Sequence, residues 1–331
     1  MRCGVIGAGA WGTALADLLA RNGHDVVLWA REPDVVESIG VRHENARFLA
    51  GAPLAPALRA TGDLQAAATG MELIVLVPPS HALRPVVRQL AAHVPPGALV
   101  VVATKGIENG SLALMTDIVE AELATERVVA LSGPSFAAEV AARQPTAVVA
   151  AARHEEDARE AQRAFSGDAF RVYTSDDLAG VELGGALKNV MAVATGIAEG
   201  VGLGFNSRAA LITRGLAEMT RLGVALGASP ATFAGLAGLG DLVLTCTGSL
   251  SRNRALGAEI GKGATLEQAL EGRETVAEGA HTARSARDLA RREGVEMPIV
   301  DAVCRILFEG FQARRAIGEL MTRELRAEKD Q

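Results

Sequence analysis

The feature that most constrains this chain is a glycine-rich turn close to its start. Arg2–Ile6 carry the short, mostly apolar pattern of a buried strand, and residues 13–22 carry the pattern of an apolar helix. Residues 7–12 between them read GAGAWG, which is a GxGxxG motif in the strand–turn–helix context that it requires. A second strand pattern follows over Asp25–Trp29. This order predicts a βαβ unit that binds a dinucleotide at the turn.

The three glycines of the motif have separate predicted roles. Gly7 makes the tight turn, Gly9 lets the backbone approach a pyrophosphate, and Gly12 permits close helix–strand packing. The helix N-terminus then offers N–H groups and a positive dipole end to the phosphates. The alternative is a glycine-rich turn without a ligand. At the end of the second strand, Arg31 and Glu32 stand side by side. An acid there suits the ribose of NAD and an arginine suits the 2′-phosphate of NADP, so the choice stays open.

Alternating strands and helices continue to about residue 174, which predicts a mostly parallel, doubly wound sheet covered on both faces. Further strands are predicted at residues 73–77, 98–103, 127–131, 146–151 and 170–174. Ser80 is the predicted N-cap of a helix over 81–92, and residues 43–56 are predicted to be a loop. From residue 176 the pattern is helical throughout, including predicted helices over 252–261, 266–270 and 299–320. We therefore expect a Rossmann-like dinucleotide-binding domain over 1–175 and an all-α substrate and catalytic domain over 176–331.

Charge and cysteine content exclude several classes of function. The net charge is −6 and no basic cluster is present, which argues against nucleic acid or an anionic membrane as a partner. Cys3, Cys246 and Cys304 are far apart and without metal-ligand spacing, so we expect reduced thiols and no metal site. The chain begins directly in a strand pattern and has no apolar run of transmembrane length. We expect a cytoplasmic protein without stable membrane insertion.

A lysine in an apolar helix is the first candidate for catalysis. Leu178–Gly200 has an apolar helical rhythm with Lys188 and Asn189 in its middle. An unpaired ammonium in apolar surroundings costs several kcal/mol, so a buried lysine requires a partner. Steps of seven and eleven residues from Lys188 reach Thr195 and Glu199, which gives the helix one polar stripe. Such a lysine suits proton transfer, and the alternative is a side chain that extends to solvent.

Two strand ends in the first half carry further candidates. Lys105 follows the strand over 98–103, where the carboxyl ends of parallel strands face a ligand crevice. Gly133 and Ser135 follow the strand over 127–131 and precede a helix, which is an anion-friendly turn. The alternatives are a surface lysine and an ordinary helix cap.

Two polar segments interrupt the helical half. Residues 235–242 are glycine-dense and contain Asp241. Residues 249–254, SLSRNR, place arginines, an asparagine and serines at a helix start, which is a good phosphate clamp. The alternatives are a turn acid and a solvated, capped helix start.

Taken in order, these segments resemble the NAD(P)-dependent glycerol-3-phosphate dehydrogenases of bacteria over essentially the whole chain. The matching stretches are GAGAWGTALA, HENARFLAG, VPPSHALR, TKGIE, LSGPSFAAEV, VELGGALKN, GLAGLGDLVLTC, SRNR and VAEG. The resemblance implies a Rossmann domain with an α-helical substrate domain, a homodimer, NAD or NADP as cofactor, and a supply of glycerol phosphate for phospholipids. Phe48 and Ala50 depart from the Tyr and Pro that are usual in the family.

The resemblance also implies residue roles. It implies catalytic roles for Lys188, Asn189, Asp241, Lys105 and Thr245. It implies substrate contacts at Lys105, Gly133, Ser135, Lys188, Asp241, Ser251, Arg252 and Asn253. It implies cofactor contacts, beside Gly7, Gly9 and Gly12, at Ala10, Trp11, Arg31, Glu32, Lys105, Ala137, Arg252, Val276 and Glu278.

The resemblance implies interconversion of dihydroxyacetone phosphate and glycerol 3-phosphate, with Lys188 as proton donor and acceptor and Asp241 orienting it. Two other classes stay open. Another dehydrogenase with a helical second domain, of the hydroxyacid or 6-phosphogluconate type, would lack the combination of SRNR with GLGDLVLTC. A dinucleotide-sensing protein without catalysis would not need a buried lysine with an acid partner.

Overall fold

The chain is organised as two compact units. Unit 1 is Met1–Lys105 with Ala113–Glu182, and unit 2 is Gly106–Leu112 with Leu183–Gln331. The structure, a computed structural model, describes residues 1–272, 277–325 and 327–328. The division falls inside the helix that carries Lys188, a few residues after the predicted boundary at 175.

Unit 1 is built on short strands, most of them in the main sheet and mainly apolar. Among its described residues the strands are β1 Arg2–Ile6, β2 Asp25–Trp29, β3 Glu44–Asn45, β4 Leu49–Pro53, β5 Arg59–Thr61, β6 Leu73–Leu76, β7 Leu99–Val102, β8 Val128–Ser132, β9 Thr146–Ala152 and β10 Phe170–Ser175. The main sheet has the order β10-β9-β8-β7-β6-β1-β2-β5. All its pairs are parallel except β8 with β9. The six strands from β5 to β8 have the strand order of a dinucleotide-binding sheet, and the order reverses between β1 and β6.

Helices cover both faces of this sheet. They are α1 Ala10–Arg21, α2 Pro33–Arg42, α3 Ser80–Leu90, α4 Met115–Leu123, α5 Ala137–Ala141 and α6 Glu155–Phe165. Because successive strand side chains point to opposite faces, Val5 joins the core that contains Leu15 of α1, whereas Ile6 joins the core that contains Leu83 of α3. Two packed faces explain why these strands are nearly all apolar. The α/β class predicted for this half is confirmed.

Unit 2 is helical in its described residues. The long helix α7, Leu178–Gly200, runs from unit 1 into it, and residues 181–198 are all buried. The others are α8 Phe205–Ala225, α9 Pro230–Phe233, a π-helical turn Leu236–Gly240, α10 Asp241–Thr247, α11 Arg252–Gly261, α12 Leu266–Leu270, α13 Glu278–Arg292, α14 Pro298–Phe308 and α15 Ala313–Met321. The predicted all-α class of the second half is confirmed.

Glycines let α7 and α11 approach each other at backbone distance. A Cβ on Gly196 would lie 2.0 Å from the carbonyl oxygen of Arg254, and one on Gly257 would lie 2.2 Å from that of Val193. Any side chain at these positions would separate the helices. This close approach fixes the start of α11 against the middle of the lysine helix.

Three local predictions were wrong. Ser80 is the first residue of α3 and Pro79 is its N-cap, since the extended backbone of Pro79 precedes the first helical turn. Residues 43–56 form the β3–β4 hairpin instead of a loop, closed by a hydrogen bond from Leu54 N–H to the His43 carbonyl at 2.8 Å. The helix predicted over 299–320 is two helices, because Gly310 adopts a φ of 66° and ends the first.

One stretch, Pro230–Thr247, has the length and the mean hydropathy, 1.2, of a helix that could cross a membrane. It consists of α9, the π-helical turn and α10, and its Asp241 is 1% exposed. A carboxylate pointing into the protein is typical of a core segment of a folded domain.

Candidate functional site

The glycine-rich turn in unit 1 has the geometry that a bound pyrophosphate requires. Gly7 has a φ of 115°, a conformation that side chains rarely adopt. A Cβ on Gly12 would lie 1.9 Å from the Gly7 carbonyl oxygen, so only glycine lets α1 begin this close to β1. A Cβ on Gly9, in contrast, would meet nothing within 4 Å among the described residues. The approach to the N-terminus of α1 is therefore open.

The start of α1 also offers hydrogen-bond donors. Gly9 is the N-cap and has no side chain, so the first-turn N–H groups of Ala10, Trp11 and Gly12 receive no side-chain cap. The Trp11 Nε1–H is buried and has no hydrogen-bond partner in the part of the chain that the structure describes. Open space, helix N–H groups and an orphaned donor together fit a dinucleotide phosphate.

Asn45 holds this turn from outside, a role that the sequence reasoning missed. Its buried Nδ2 donates to the Ala8 carbonyl and to Thr13 Oγ1, both at 2.8 Å, while its Oδ1 accepts from Phe48 N–H at 3.0 Å. The HENARF segment is thereby tied to the phosphate turn by its asparagine. Phe48 packs against the core of unit 1, so the aromatic ring serves packing without a hydroxyl.

The predicted ribose-contacting pair lies at the surface. Arg31 Nε and Nη2 both donate to Glu32 Oε1, at 3.1 and 2.8 Å, and the Arg31 side chain is 83% exposed. An exposed pair of this kind contributes less than about 1 kcal/mol, so a ligand can displace it at small cost. Both side chains stay within reach of the end of β2.

At the ends of β7 and β8, two predicted side chains, of Lys105 and Ser135, donate to the carbonyl of a third predicted residue, Gly133. Lys105 Nζ donates to the Gly133 carbonyl at 3.2 Å, and Ser135 Oγ donates to the same oxygen at 3.0 Å. Ala137 begins α5 directly after them. Ser132 Oγ is buried without a partner among the described residues, and this orphaned hydroxyl had no signal in the sequence.

In unit 2 the candidate lysine has the acid partner that its burial demands. Lys188 Nζ donates to Asp241 Oδ1 and, at 2.9 Å, to Thr245 Oγ1. The Lys188 side chain is 9% exposed and that of Asp241 is 1% exposed. Thr245 Oγ1 also lies 2.7 Å from the Asp241 carbonyl. The carboxylate compensates the ammonium charge, so the lysine stays within the protein instead of extending to solvent.

The Asp241 carboxylate reaches this position through the π-helical turn. Gly238 packs so closely on Phe233 that a Cβ would lie 2.1 Å from the Phe233 carbonyl oxygen, and Gly184 of α7 allows a similar approach to Ala237. The glycine-dense segment therefore packs against α7 and begins α10 with Asp241. The acid is neither a turn residue nor a cap in solvent.

The SRNR segment separates into side chains with different partners. Ser251 is the N-cap of α11 and accepts from Arg254 N–H at 3.2 Å. Arg254 pairs with Glu199 at 2.6 Å and donates to the Gly248 carbonyl, so it is a structural arginine. No hydrogen bond or ion pair involves Arg252 among the described residues, and its side chain reaches the surface. Partial removal of the guanidinium from water lowers the pKa of Arg252, and the negative charge of Glu278 acts to raise it.

The asparagines are turned inward. Asn253 Nδ2 donates to Asn189 Oδ1 at 2.9 Å, and Asn253 Oδ1 accepts from Gly279 N–H at 2.9 Å. Glu278 begins α13 and is half-buried. Val276 lies outside the described residues. Unit 2 thus brings together Lys188, Asp241 and Thr245 in one cluster, and Asn189 with Asn253 in another.

A doubly wound dinucleotide-binding sheet and a helical unit with a buried lysine–aspartate pair define a nicotinamide-dependent dehydrogenase architecture. The family models for the N-terminus and the C-terminus of NAD-dependent glycerol-3-phosphate dehydrogenase match residues 2–158 and 177–318. The chain belongs to this family.

Named relatives agree with this family. The chain is 56% identical over 331 residues to a protein of Geobacter sulfurreducens named glycerol-3-phosphate dehydrogenase (NAD(P)+), covering 99% of both chains. It is 41% identical to the solved glycerol-3-phosphate dehydrogenase of Coxiella burnetii, with a TM-score of 0.93 over 97% of this chain and 99% of that one. A glycerol-3-phosphate dehydrogenase of Saccharomyces cerevisiae is 28% identical, with a TM-score of 0.82 over 96% and 98% of the two chains.

Proposed function

We propose that this chain is an NAD(P)-dependent glycerol-3-phosphate dehydrogenase that interconverts dihydroxyacetone phosphate and sn-glycerol 3-phosphate. The observation that carries the proposal is the buried Lys188, held by Asp241 and Thr245 in a chain of this family. A buried ammonium with an acid partner has no use in a protein that only senses a dinucleotide. Arg252 begins α11 directly after the N-cap Ser251, and this arginine at a helix start adds a site for a phosphorylated substrate.

Lys188 is the proton donor and acceptor of this proposal. When the substrate ketone is reduced, its oxygen gains negative charge, which the ammonium stabilises and then protonates. In the reverse direction, the neutral amine accepts the proton of the alcohol. Asp241 and Thr245 fix Nζ through the two hydrogen bonds described above, so little reorganisation is needed at the moment of proton transfer.

Arg252 binds the phosphate end of the substrate in this proposal. No hydrogen bond or ion pair engages its guanidinium among the described residues, and this exposed group can bind a phosphate bidentately. Ser251 and Asn253 flank it. Lys105, Gly133 and Ser135 are proposed as further substrate contacts, as the resemblance implies. Binding energy from the phosphate is then used to align the reacting carbonyl.

The cofactor is proposed to be held by the N-terminus of α1 with Gly7, Gly9, Ala10, Trp11 and Gly12. When bound, the nicotinamide supplies or accepts the hydride. Arg31, Glu32, Ala137, Lys105, Arg252, Val276 and Glu278 are proposed as further cofactor contacts. Arg31 attracts a 2′-phosphate and Glu32 repels it, so we expect use of both NADH and NADPH, with kcat/KM values within about 100-fold.

We also propose the cellular setting that the resemblance implies. The protein acts in the cytoplasm as a homodimer, without stable membrane insertion, and supplies glycerol phosphate for phospholipid synthesis. Sedimentation of the purified protein checks the dimer.

The test of the proposed function is oxidation of NADH and of NADPH with dihydroxyacetone phosphate. Turnover should be fast with this ketone and very slow with 2-ketoacids or with 6-phosphogluconate in the oxidising direction. Preference for one of these other substrates would assign the chain to another dehydrogenase class. Dinucleotide binding without any turnover would favour the sensing alternative.

A further inference from the structure

Three helices of unit 2 meet in a chain of amide hydrogen bonds. Asn253, on the first turn of α11, donates through Nδ2 to Asn189 Oδ1 of α7 at 2.9 Å. Its Oδ1 accepts from Gly279 N–H, on the first turn of α13, at 2.9 Å. Asn189 Nδ2 in turn donates to the Gly185 carbonyl at 3.3 Å. We call Asn189, Asn253 and Gly279 the amide relay, and all three of its residues are buried.

Gly279 also touches α7 directly. A Cβ at this position would lie 2.5 Å from the Asn189 carbonyl oxygen and 2.8 Å from Val193 Cγ2. The first turn of α13 therefore rests on the backbone of α7 at the residue that follows Lys188. Any larger residue would push the two helices apart.

Asn253 performs a capping task for α13 from a distance. The N-cap of α13 is Ala277, whose side chain accepts no hydrogen bond, so Gly279 N–H finds no acceptor on the cap side chain. The Asn253 carboxamide supplies that acceptor and uses one of its N–H groups on Asn189. Because both ends of the carboxamide are engaged, its plane is fixed between α7 and α13.

Each member of the relay directly follows a charged side chain. Lys188 precedes Asn189, Arg252 precedes Asn253, and Glu278 precedes Gly279. Adjacent Cα atoms are about 3.8 Å apart and share a rigid peptide, so fixing one residue restrains its neighbour. The relay therefore restrains the backbone that carries Lys188 relative to the backbone that carries Arg252.

We infer that the amide relay is a positioning device that sets the separation of Lys188 from Arg252, with Asn253 and Gly279 as positioning residues. This inference rests on the proposed function and deepens it. The ketone and the phosphate of one small substrate have a nearly fixed separation, so the two groups that bind them must be spaced to match. Asn253 then contributes to both ends of the substrate, whereas the family resemblance gives it a substrate contact alone.

The first test replaces Gly279, which leaves every polar group of the relay in place. Gly279→Ala should lower kcat with dihydroxyacetone phosphate at least about tenfold, because small misplacements of reacting groups reduce rates strongly. The matched control is Gly261→Ala, whose Cβ would lie 2.3 Å from the Ile197 carbonyl oxygen. That change also strains a contact with α7, but far from Lys188. We expect both variants to lose thermal stability and the control to keep kcat within about threefold.

An unchanged kcat in Gly279→Ala, or an equal loss in Gly261→Ala, would overturn the relay. Should Gly279→Ala fail to fold, Asn253→Ala provides the second test. Acting through the relay, Asn253→Ala should lower kcat with dihydroxyacetone phosphate at least about tenfold but leave inhibition by inorganic phosphate within about threefold, because a free anion needs no fixed separation from Lys188. Inhibition by inorganic phosphate that weakens in parallel with kcat would show that Asn253 is a phosphate ligand only, which also overturns the proposal.

Two comparisons complete the experiment. The double variant Asn253→Ala/Gly279→Ala should lose no more than the worse single variant, since contacts in one network are not additive. Additive losses would contradict a shared device. Wild-type turnover with dihydroxyacetone phosphate tests the proposed function separately, and the variants are compared with the wild type on whichever ketone it reduces.

Discussion

The phosphate turn of unit 1 and the lysine cluster of unit 2 are assembled in opposite ways. The turn uses consecutive residues, 7–12, and presents mainly backbone N–H groups. The cluster uses side chains, and Asp241 and Thr245 stand 53 and 57 residues after Lys188. Binding of a dinucleotide pyrophosphate needs only a local backbone shape. Proton transfer needs particular side chains at particular distances, and these come from separate helices.

Glycine shows the same contrast. In the turn, Gly7 supplies a positive φ and Gly9 leaves room for a ligand. In unit 2, Gly184, Gly196 and Gly257 all lie within helices, where they bring helices together at backbone distance. Glycines of the first kind form a recognisable motif, whereas those of the second kind serve packing.

The largest expected effect comes from removing the amine of the lysine cluster. Lys188→Ala should lower kcat at least about 100-fold, which is the low end of what general acid catalysis contributes. Binding of NAD(P)H, measured by fluorescence titration, should change little because the phosphate turn is untouched. Near-normal turnover would rule out Lys188 as the proton donor.

This variant needs a control for folding, because it leaves the buried Asp241 without its cation. Lys188→Ala/Asp241→Asn removes that charge as well. We expect the double variant to regain part of the thermal stability but none of the turnover. Recovery of turnover would mean that the loss in the single variant was one of folding.

The next largest effect concerns the phosphate end of the substrate. Arg252→Ala should lower kcat/KM for dihydroxyacetone phosphate by about 10- to 150-fold, as expected for a charge-assisted contact. Unphosphorylated dihydroxyacetone should be a very poor substrate of the wild type and nearly insensitive to this change. Arg254→Ala is the matched control, since that arginine is paired with Glu199 and should affect both ketones alike. Equal sensitivity of both ketones to Arg252→Ala would make Arg252 a cofactor or folding residue.

The phosphate turn can be changed without disturbing the fold. Because a Cβ on Gly9 would meet no described atom, Gly9→Ala should fold normally yet weaken NAD(P)H binding about tenfold by blocking the approach to α1. Gly40→Ala is the control, because a Cβ there would also meet no described atom; it should retain both normal folding and the affinity for NAD(P)H. Gly12→Ala should instead lower thermal stability, since its Cβ would overlap the Gly7 carbonyl. Unaltered cofactor affinity in Gly9→Ala would contradict binding at this turn.

The smallest expected effect concerns Glu218, a buried acid that, unlike Asp241, pairs with no lysine among the described residues. Glu218 accepts hydrogen bonds from the first N–H groups of α14, and burial raises the pKa of its carboxyl from 4.5 to about 7. The folded protein thus holds this proton up to a higher pH than the unfolded chain does. Its contribution to stability is present below pH 4.5 and is lost as the pH rises through about 7.

Glu218→Gln removes this titration and keeps an acceptor for Ile299 N–H. The wild type should lose a few degrees of Tm relative to the variant between pH 5 and about pH 8. Parallel Tm curves over this range would contradict the raised pKa of Glu218. Turnover at fixed pH should stay unchanged, because Glu218 stabilises α14 and does not contact the lysine cluster.

Local pattern determined much of the fold from the sequence. The ranges of β1, β2, α7, α11 and α12 agree with the ranges that the sequence predicts to the residue, because apolar periodicity and helix-capping residues act over a few positions. The predictions were wrong where the conformation of a turn, and not the local pattern of apolar residues, decided the secondary structure. Gly310 breaks the helix predicted over 299–320, and the β3–β4 hairpin depends on pairing between residues that look like a loop.

The sequence by itself determined the phosphate turn, the mostly apolar lysine helix and the order of strands and helices, since each is encoded in neighbouring residues. Only the tertiary structure decided that Lys188 meets Asp241 and Thr245, that Arg254 pairs with Glu199 while Arg252 does not, and that Asn253 turns inward. Such contacts join residues 53 to 64 positions apart and depend on how closely helices pack. The spacing between the helices is set by glycines, and the effect of each glycine appears only when the opposing helix is in place.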